Sequence, residues 1–143
     1  MSKQTQIDER LKNKAIRPTA IRELVLQSFL KNDAALSLTD LELQLERADK
    51  STLFRTLKTF EDKKLIHSID DGSGSLKYAL CHECCQSKHE DQHIHFLCSR
   101  CQRTFCVTEC QLPAINLPSG FSPESIHIVI QGICPHCKNK NED

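Results

Sequence analysis

Two C-x-x-C pairs, Cys98-Ser99-Arg100-Cys101 and Cys134-Pro135-His136-Cys137, constrain this chain more than any other feature of its sequence. Each pair puts two thiols on one tight turn. A tetrahedral zinc at ~2.3 Å from each sulfur needs two such turns, brought together from distant segments. The spacing therefore points to a four-thiolate structural zinc site at Cys98, Cys101, Cys134 and Cys137; the alternative is four unrelated buried thiols. Just upstream, His93 and His95 flank Ile94. If residues 94–97 form a strand, its period of two puts both imidazoles on one face, where they can share a second metal.

The rest of the chain has to say what that metal would control. At 143 residues it allows one medium domain or two small ones. The zero net charge hides an asymmetry: residues 1–66 carry 13 basic and 10 acidic side chains, residues 67–143 carry 6 and 9. All nine Cys and all seven His lie at or after His67. This break predicts two modules, residues 1–80 and residues 81–143. The N-terminus is polar, unlike a signal peptide, and nothing approaches the ~18 apolar residues of a membrane span. The expectation is a cytoplasmic protein with no membrane partner, whose reduced thiols serve metal more readily than disulfides. An odd count of cysteines agrees with that. A core divided between two small modules is marginal, and structural zinc, with apparent binding energies of roughly 10–16 kcal/mol in small domains, can offset this.

Along the chain, residues 5–15 read as a short, charged, mostly solvated helix. Arg17-Pro18-Thr19 restarts the chain, Pro suiting the first turn of a helix. Ile21, Leu24, Val25 and Phe29 then recur at helical spacing to about Leu30. Ser37 to Asp40 resembles a capping box, with Leu38, Leu41 and Leu45 behind it. A further helix over residues 50–63 has Leu53, Leu57 and Phe60 on its buried stripe. The alternating runs 65–69 and 76–80, separated by Asp70-Asp71-Gly72-Ser73-Gly74-Ser75, read as a hairpin. Helices followed by a hairpin describe a winged helix-turn-helix; a small helical bundle with an attached hairpin is the plainer alternative. Opposite the Leu53/Leu57/Phe60 stripe, at ~100° per residue, stand Ser51, Arg55, Lys58 and Thr59, flanked by Thr52 and Phe54. Hydroxyls beside Arg and Lys are what a recognition helix offers to phosphates and base edges.

These residues together resemble the ferric uptake regulator family of metal-dependent bacterial repressors, over roughly residues 10–137. The carriers are Arg17-Pro18-Thr19 with Arg22, the Ser51-Thr52-Leu53-Phe54-Arg55-Thr56-Leu57 segment, His93-x-His95-x-x-Cys98-x-x-Cys101, and Gly132-Ile133-Cys134-x-x-Cys137. Phe54 stands where the family usually has Tyr. The resemblance implies an α+β chain: a winged-helix DNA-binding domain, then a small α/β dimerisation domain with a four-cysteine zinc site. It further implies a homodimer on an inverted-repeat double-stranded DNA operator, with Phe54 and Arg55 on the recognition-helix contacts and Arg17 near the DNA backbone or minor groove.

The regulatory metal site is where this chain departs from the iron-type members. Ala35 and Ala79 fall on positions where those members have ligands, and neither can bind metal. The zinc-sensing pattern instead lands on His67, Cys81, His93 and His95, with His67 and Cys81 expected at opposite ends of the wing hairpin. A thiolate with imidazoles suits zinc over iron or manganese. A solvated strand residue is the plainer reading of His67. Cys106 stands where the family usually has an acidic residue and could complete the site instead of His67. Gln92 and Ile94 replace ligands of an additional family site, which is expected to be absent. Cys84 and Cys85 lie in an insertion without family counterpart, and residues 110–118 look too short for the family's full helix. Cys110, His127 and His136 receive no assignment. The expected function is a zinc-responsive transcriptional repressor controlling metal homeostasis; an iron-responsive, peroxide-sensing or thiol-redox repressor is the alternative. A zinc enzyme is disfavoured, because His82-Glu83-Cys84 fails the deaminase signature and four-sulfur sites are closed to substrate.

Overall fold

The computed structural model describes residues 2–81, 94–107, 113–124 and 126–140. These divide into two compact units, Met1–Cys81 and His82–Asp143.

The first unit contains four helices and a small sheet: α1 (Lys3–Asn13), α2 (Ala20–Lys31), β1 (Leu36–Ser37), α3 (Leu38–Gln44), α4 (Lys50–Asp62), β2 (Ile66–Ile69) and β3 (Lys77–Leu80). Side-chain caps set the helix starts. Thr19 accepts from the Arg22 amide, so α2 begins one residue beyond it and Pro18 lies outside the helix. Ser37 and Asp40 form a reciprocal capping box on α3. Asp49 caps α4 by accepting from the Thr52 amide.

Leu53, Leu57 and Phe60 are fully buried, joined by Thr56, as the α4 spacing predicts. Two expectations need correction. Helix α1 is not merely solvated: Ile7 and Leu11 enter the core, because α1 packs against α2. The buried stripe of α2, packed by α1, α3 and α4, runs through Val25, Leu26 and Phe29 and leaves Leu24 45% exposed. The sheet order is β1-β3-β2, with both pairings antiparallel. Strands β2 and β3 form the wing hairpin, and the two-residue β1 was not anticipated.

The second unit is built on β4 (Ile94–Cys98), β5 (Thr104–Val107), β6 (Ile128–Gly132) and α5 (Pro135–Lys140). Strand β4 is central, antiparallel to β5 and parallel to β6. Its apolar cluster consists largely of sulfur: Cys98, Cys134 and Cys137, with Phe96, Cys101 and Phe105 packed against them. The α+β class and the order of elements agree with the sequence reading. Among the described residues, no helix is long and apolar enough to cross a membrane.

Candidate metal centres and DNA interface

The first C-x-x-C pair straddles a knuckle at the end of β4. The Cys98 amide donates to the Arg103 carbonyl (2.9 Å) and the Gln102 amide to the Cys98 carbonyl (2.9 Å). Gln102 closes that turn in the left-handed region, at φ 62°. The second pair sits where β6 gives way to α5. Ser99 ties the two together, donating from its amide (2.8 Å) and its hydroxyl (3.1 Å) to the Gly132 carbonyl. Gly132 also sits close against Phe96: a Cβ there would lie 3.0 and 3.2 Å from its ring atoms.

The result is four sulfurs, of Cys98, Cys101, Cys134 and Cys137, all within 4.8 Å of one another. Cys101 and Cys134 are separated by 3.9 Å, against ~3.8 Å for the edge of a tetrahedron with ~2.3 Å zinc–sulfur bonds. That distance is far too long for a disulfide, and all four are thiols. The backbone already favours anionic sulfur: the Cys134 amide points at the Cys98 sulfur (3.4 Å) and the Cys137 amide at the Cys134 sulfur (3.5 Å). Backbone N–H groups, of Cys101 first and then Cys134, lower the Cys98 thiol to about 6. Burial first, then the surrounding sulfurs, pushes the Cys137 thiol up to about 12. A divalent cation resolves that tension, since it needs all four as thiolates. The residues fit a closed, structural zinc.

Among the described residues, each unit also places a histidine beside a cysteine. In the first unit, His67 is buried at 4% exposure, not solvated as its plainer reading holds. It pairs in register with Ala79, and Cys81 lies two residues further along, held by its amide to the Leu65 carbonyl (3.0 Å). His67 Nδ1 and Cys81 Sγ are 3.6 Å apart. They share the base of the hairpin and are not at its opposite ends, because antiparallel pairing folds the chain back on itself. In the second unit, buried His95 stands opposite Cys106 in the β4–β5 register, their donor atoms within 4.8 Å. His93, like Cys84, Cys85, Gln92 and Cys110, lies outside the described residues. Ala35 is buried and Ala79 half-buried; His127 and His136 are exposed.

On α4, Ser51, Arg55 and Lys58 are exposed, Phe54 is 47% exposed and Thr52 half-buried. Arg17 is exposed ahead of α2, where its carbonyl accepts from the Arg22 guanidinium at 2.8 Å. Two features escaped the sequence reading. Asp49 collects the Ser51 hydroxyl (2.6 Å) and the Thr52 hydroxyl (2.5 Å), and those bonds lower its carboxyl from 3.8 to about 2. An Asp three residues before a Thr at a helix start was the available signal. In the wing, Lys77 and Asp71 form a 2.8 Å ion pair, both buried; alternation along β3 does not disclose a buried Lys.

A winged-helix unit followed by a small unit centred on four cysteine sulfurs defines a class: DNA-binding proteins that answer to metal. The model of the ferric uptake regulator family matches residues 13–126, and the chain belongs to that family, whose members are transcription regulators and not enzymes. It shares 24% identity over 140 residues with the ferric uptake regulation protein of Campylobacter jejuni, covering 91% of this chain and 85% of that one. The ferric uptake regulation protein of Staphylococcus epidermidis is 25% identical over 138 residues, covering 91% and 92%. Among solved structures, a zinc uptake regulator complexed with zinc and DNA matches with a TM-score of 0.64 at 22% identity, over 97% and 95% of the chains. The ferric uptake regulator of Helicobacter pylori matches with 0.57 at 15% identity, over 96% and 95%. At these identities the structural likeness speaks for the fold.

Proposed function

We propose that this protein is a zinc-responsive transcriptional repressor, acting in the cytoplasm as a homodimer on inverted-repeat operator DNA. The observation that carries zinc is the donor set. A cysteine thiol lies beside His67, and another beside His95; thiolate and imidazole favour zinc over the harder iron and manganese. The positions that serve iron-type members are alanines here.

In this reading Cys98, Cys101, Cys134 and Cys137 hold a structural zinc that stabilises the second unit. His67 and Cys81 supply one half of the sensor, His93 and His95 the other, with Cys106 able to take a place in the set. Two ligands cannot satisfy a four-coordinate zinc, so neither half suffices alone. Arg17, Ser51, Thr52, Phe54, Arg55 and Lys58 meet the DNA, and the wing hairpin supports them. A dimer spaces its recognition helices about one helical turn apart, or a multiple of it. Linkage is reciprocal: zinc and operator strengthen each other's binding by the same factor, on a usual scale of roughly 1–3 kcal/mol. The two modules, residues 1–80 and residues 81–143, would divide DNA reading from dimerisation, with sensor ligands drawn from both.

The test is a zinc titration of protein whose four-sulfur site is already filled. Operator affinity should rise roughly 5- to 150-fold, and Cys81→Ser should abolish the rise. Unchanged affinity would refute the zinc reading. An iron-responsive repressor is the second reading, favoured by relatives named as ferric uptake regulation proteins. Anaerobic Fe(II) in place of zinc separates the two.

A further inference from the structure

Asp49 caps the helix proposed to read DNA, an ordinary place for Asp in a helix but one where its negative charge meets approaching phosphates. A free helix N-terminus attracts phosphate; a carboxylate in that place repels it. Helix capping alone does not call for a charge, because Ser, Thr and Asn cap as well as Asp. What the carboxylate does here is more particular. Its Oδ2 accepts from the Ser51 hydroxyl at 2.6 Å, its Oδ1 from the Thr52 hydroxyl at 2.5 Å, and Oδ2 also from the Thr52 amide at 3.3 Å. Both hydroxyl contacts lie in the short range of charge-assisted O–H···O⁻ bonds.

A hydroxyl has one proton and two lone pairs. Ionised Asp49 can only accept, so both protons point toward it and only lone pairs remain for another partner. With its carboxyl lowered to about 2, Asp49 stays ionised at neutral pH. Ordinarily Ser and Thr read either polarity in the major groove. While those bonds hold, neither donates to a phosphate, to guanine O6 or N7, or to thymine O4. Each can accept, and the base groups that donate in the major groove are adenine N6 and cytosine N4.

We infer that Asp49 sets the base specificity of this protein: it turns Ser51 and Thr52 into obligate acceptors, which select adenine or cytosine amino groups and reject keto oxygens. This rests on the DNA-binding reading above. Asp49 itself touches no base and is a positioning residue. Arg55, whose Nε leans back to the Ser51 carbonyl (3.4 Å), supplies donors on the same face, so donor and acceptor duties are divided between side chains.

The test is in vitro selection of operator DNA by full-length, zinc-loaded wild type and Asp49→Asn. Asn still caps the helix, but its amide NH2 donates to one hydroxyl and releases that proton outward. Wild type should prefer adenine or cytosine where Ser51→Ala and Thr52→Val lose discrimination. Asp49→Asn should admit guanine or thymine there, with at least roughly tenfold loss of discrimination, the usual scale of one base contact. Folding of each variant is checked by thermal melting. If Asp49→Asn keeps the wild-type preference, the inference falls while the DNA-binding reading stands. If wild type selects no sequence, that reading falls and the inference with it.

Discussion

At the scale of single residues, the decisive groups are those whose protonation the fold has biased. Asp49 is the simplest. The hydroxyls of Ser51 and Thr52 hold its carboxyl at about 2, below its ordinary 3.8. A folded value below the unfolded one means that the stabilisation is present above ~4 and is lost as pH falls toward 2. Acid melting of the winged-helix unit should therefore show a component in that window that Asp49→Asn lacks. Equal acid profiles for the two proteins would show that the hydroxyl bonds do not hold in solution. The sulfurs of the second unit make a different case, because their bias is toward a metal. Among the described residues they form most of that unit's apolar cluster, with Ile94 and Leu97 the buried hydrocarbon beside it, so removing the ion leaves little core to replace it. A strong chelator should collapse the β4–β5–β6 signal in circular dichroism while leaving much of the helical signal. Cys98→Ser should lower bound zinc by one ion per chain; full metal content in that variant would overturn the four-sulfur assignment.

At the scale of elements, what could be read in advance was whatever a local pattern encodes. The Ser37–Asp40 capping box, the Leu53/Leu57/Phe60 stripe and the turn-rich gap in the wing hairpin needed no partner to be visible. The two C-x-x-C spacings likewise foretold that four sulfurs would converge, since a tight pair of thiols has few other uses. What remained hidden depends on tertiary contact. Strand β1 is two residues long and exists only through its pairing with β3. Helix α1 hides its two core residues among charges, and α2 is covered by α1, α3 and α4 together. The periodicity of Ile21, Leu24, Val25 and Phe29 missed Leu26 for that reason. A pair of substitutions tests the corrected stripe. Leu26→Ala should destabilise the first unit by about 2–5 kcal/mol, whereas Leu24→Ala, at 45% exposure, should stay within about 0.5 kcal/mol. Thermal or urea melting measures both, and comparable losses would restore the original face. In the second unit, Gly132→Ala pushes a methyl against the Phe96 ring. It should cost about 1–3 kcal/mol, with partial recovery when Phe96→Leu makes room.

For the whole molecule, the open matter is whether metal and DNA are coupled through one ion. Each unit carries a thiol–imidazole pair of its own: His67 with Cys81 in the first, His95 with Cys106 in the second. Each pair is two ligands short of a four-coordinate zinc, and both thiols suit the same soft, borderline cation. Two outcomes follow from that arithmetic, and they differ in additivity. If each pair recruits its own ion with water or small ligands, Cys81→Ser and His95→Ala act independently and their free-energy costs add. If one ion draws on both pairs, either substitution already removes it, and the double variant is little worse than the singles. The proposed repressor requires the second outcome, because only an ion with ligands in both units ties the sensing unit to the reading unit. Zinc-dependent operator affinity, measured for wild type, each single variant and the double, should therefore show a coupling of at least about 1 kcal/mol. Strict additivity, with zinc still bound in each single variant, would mean two separate ions and would refute the single shared one.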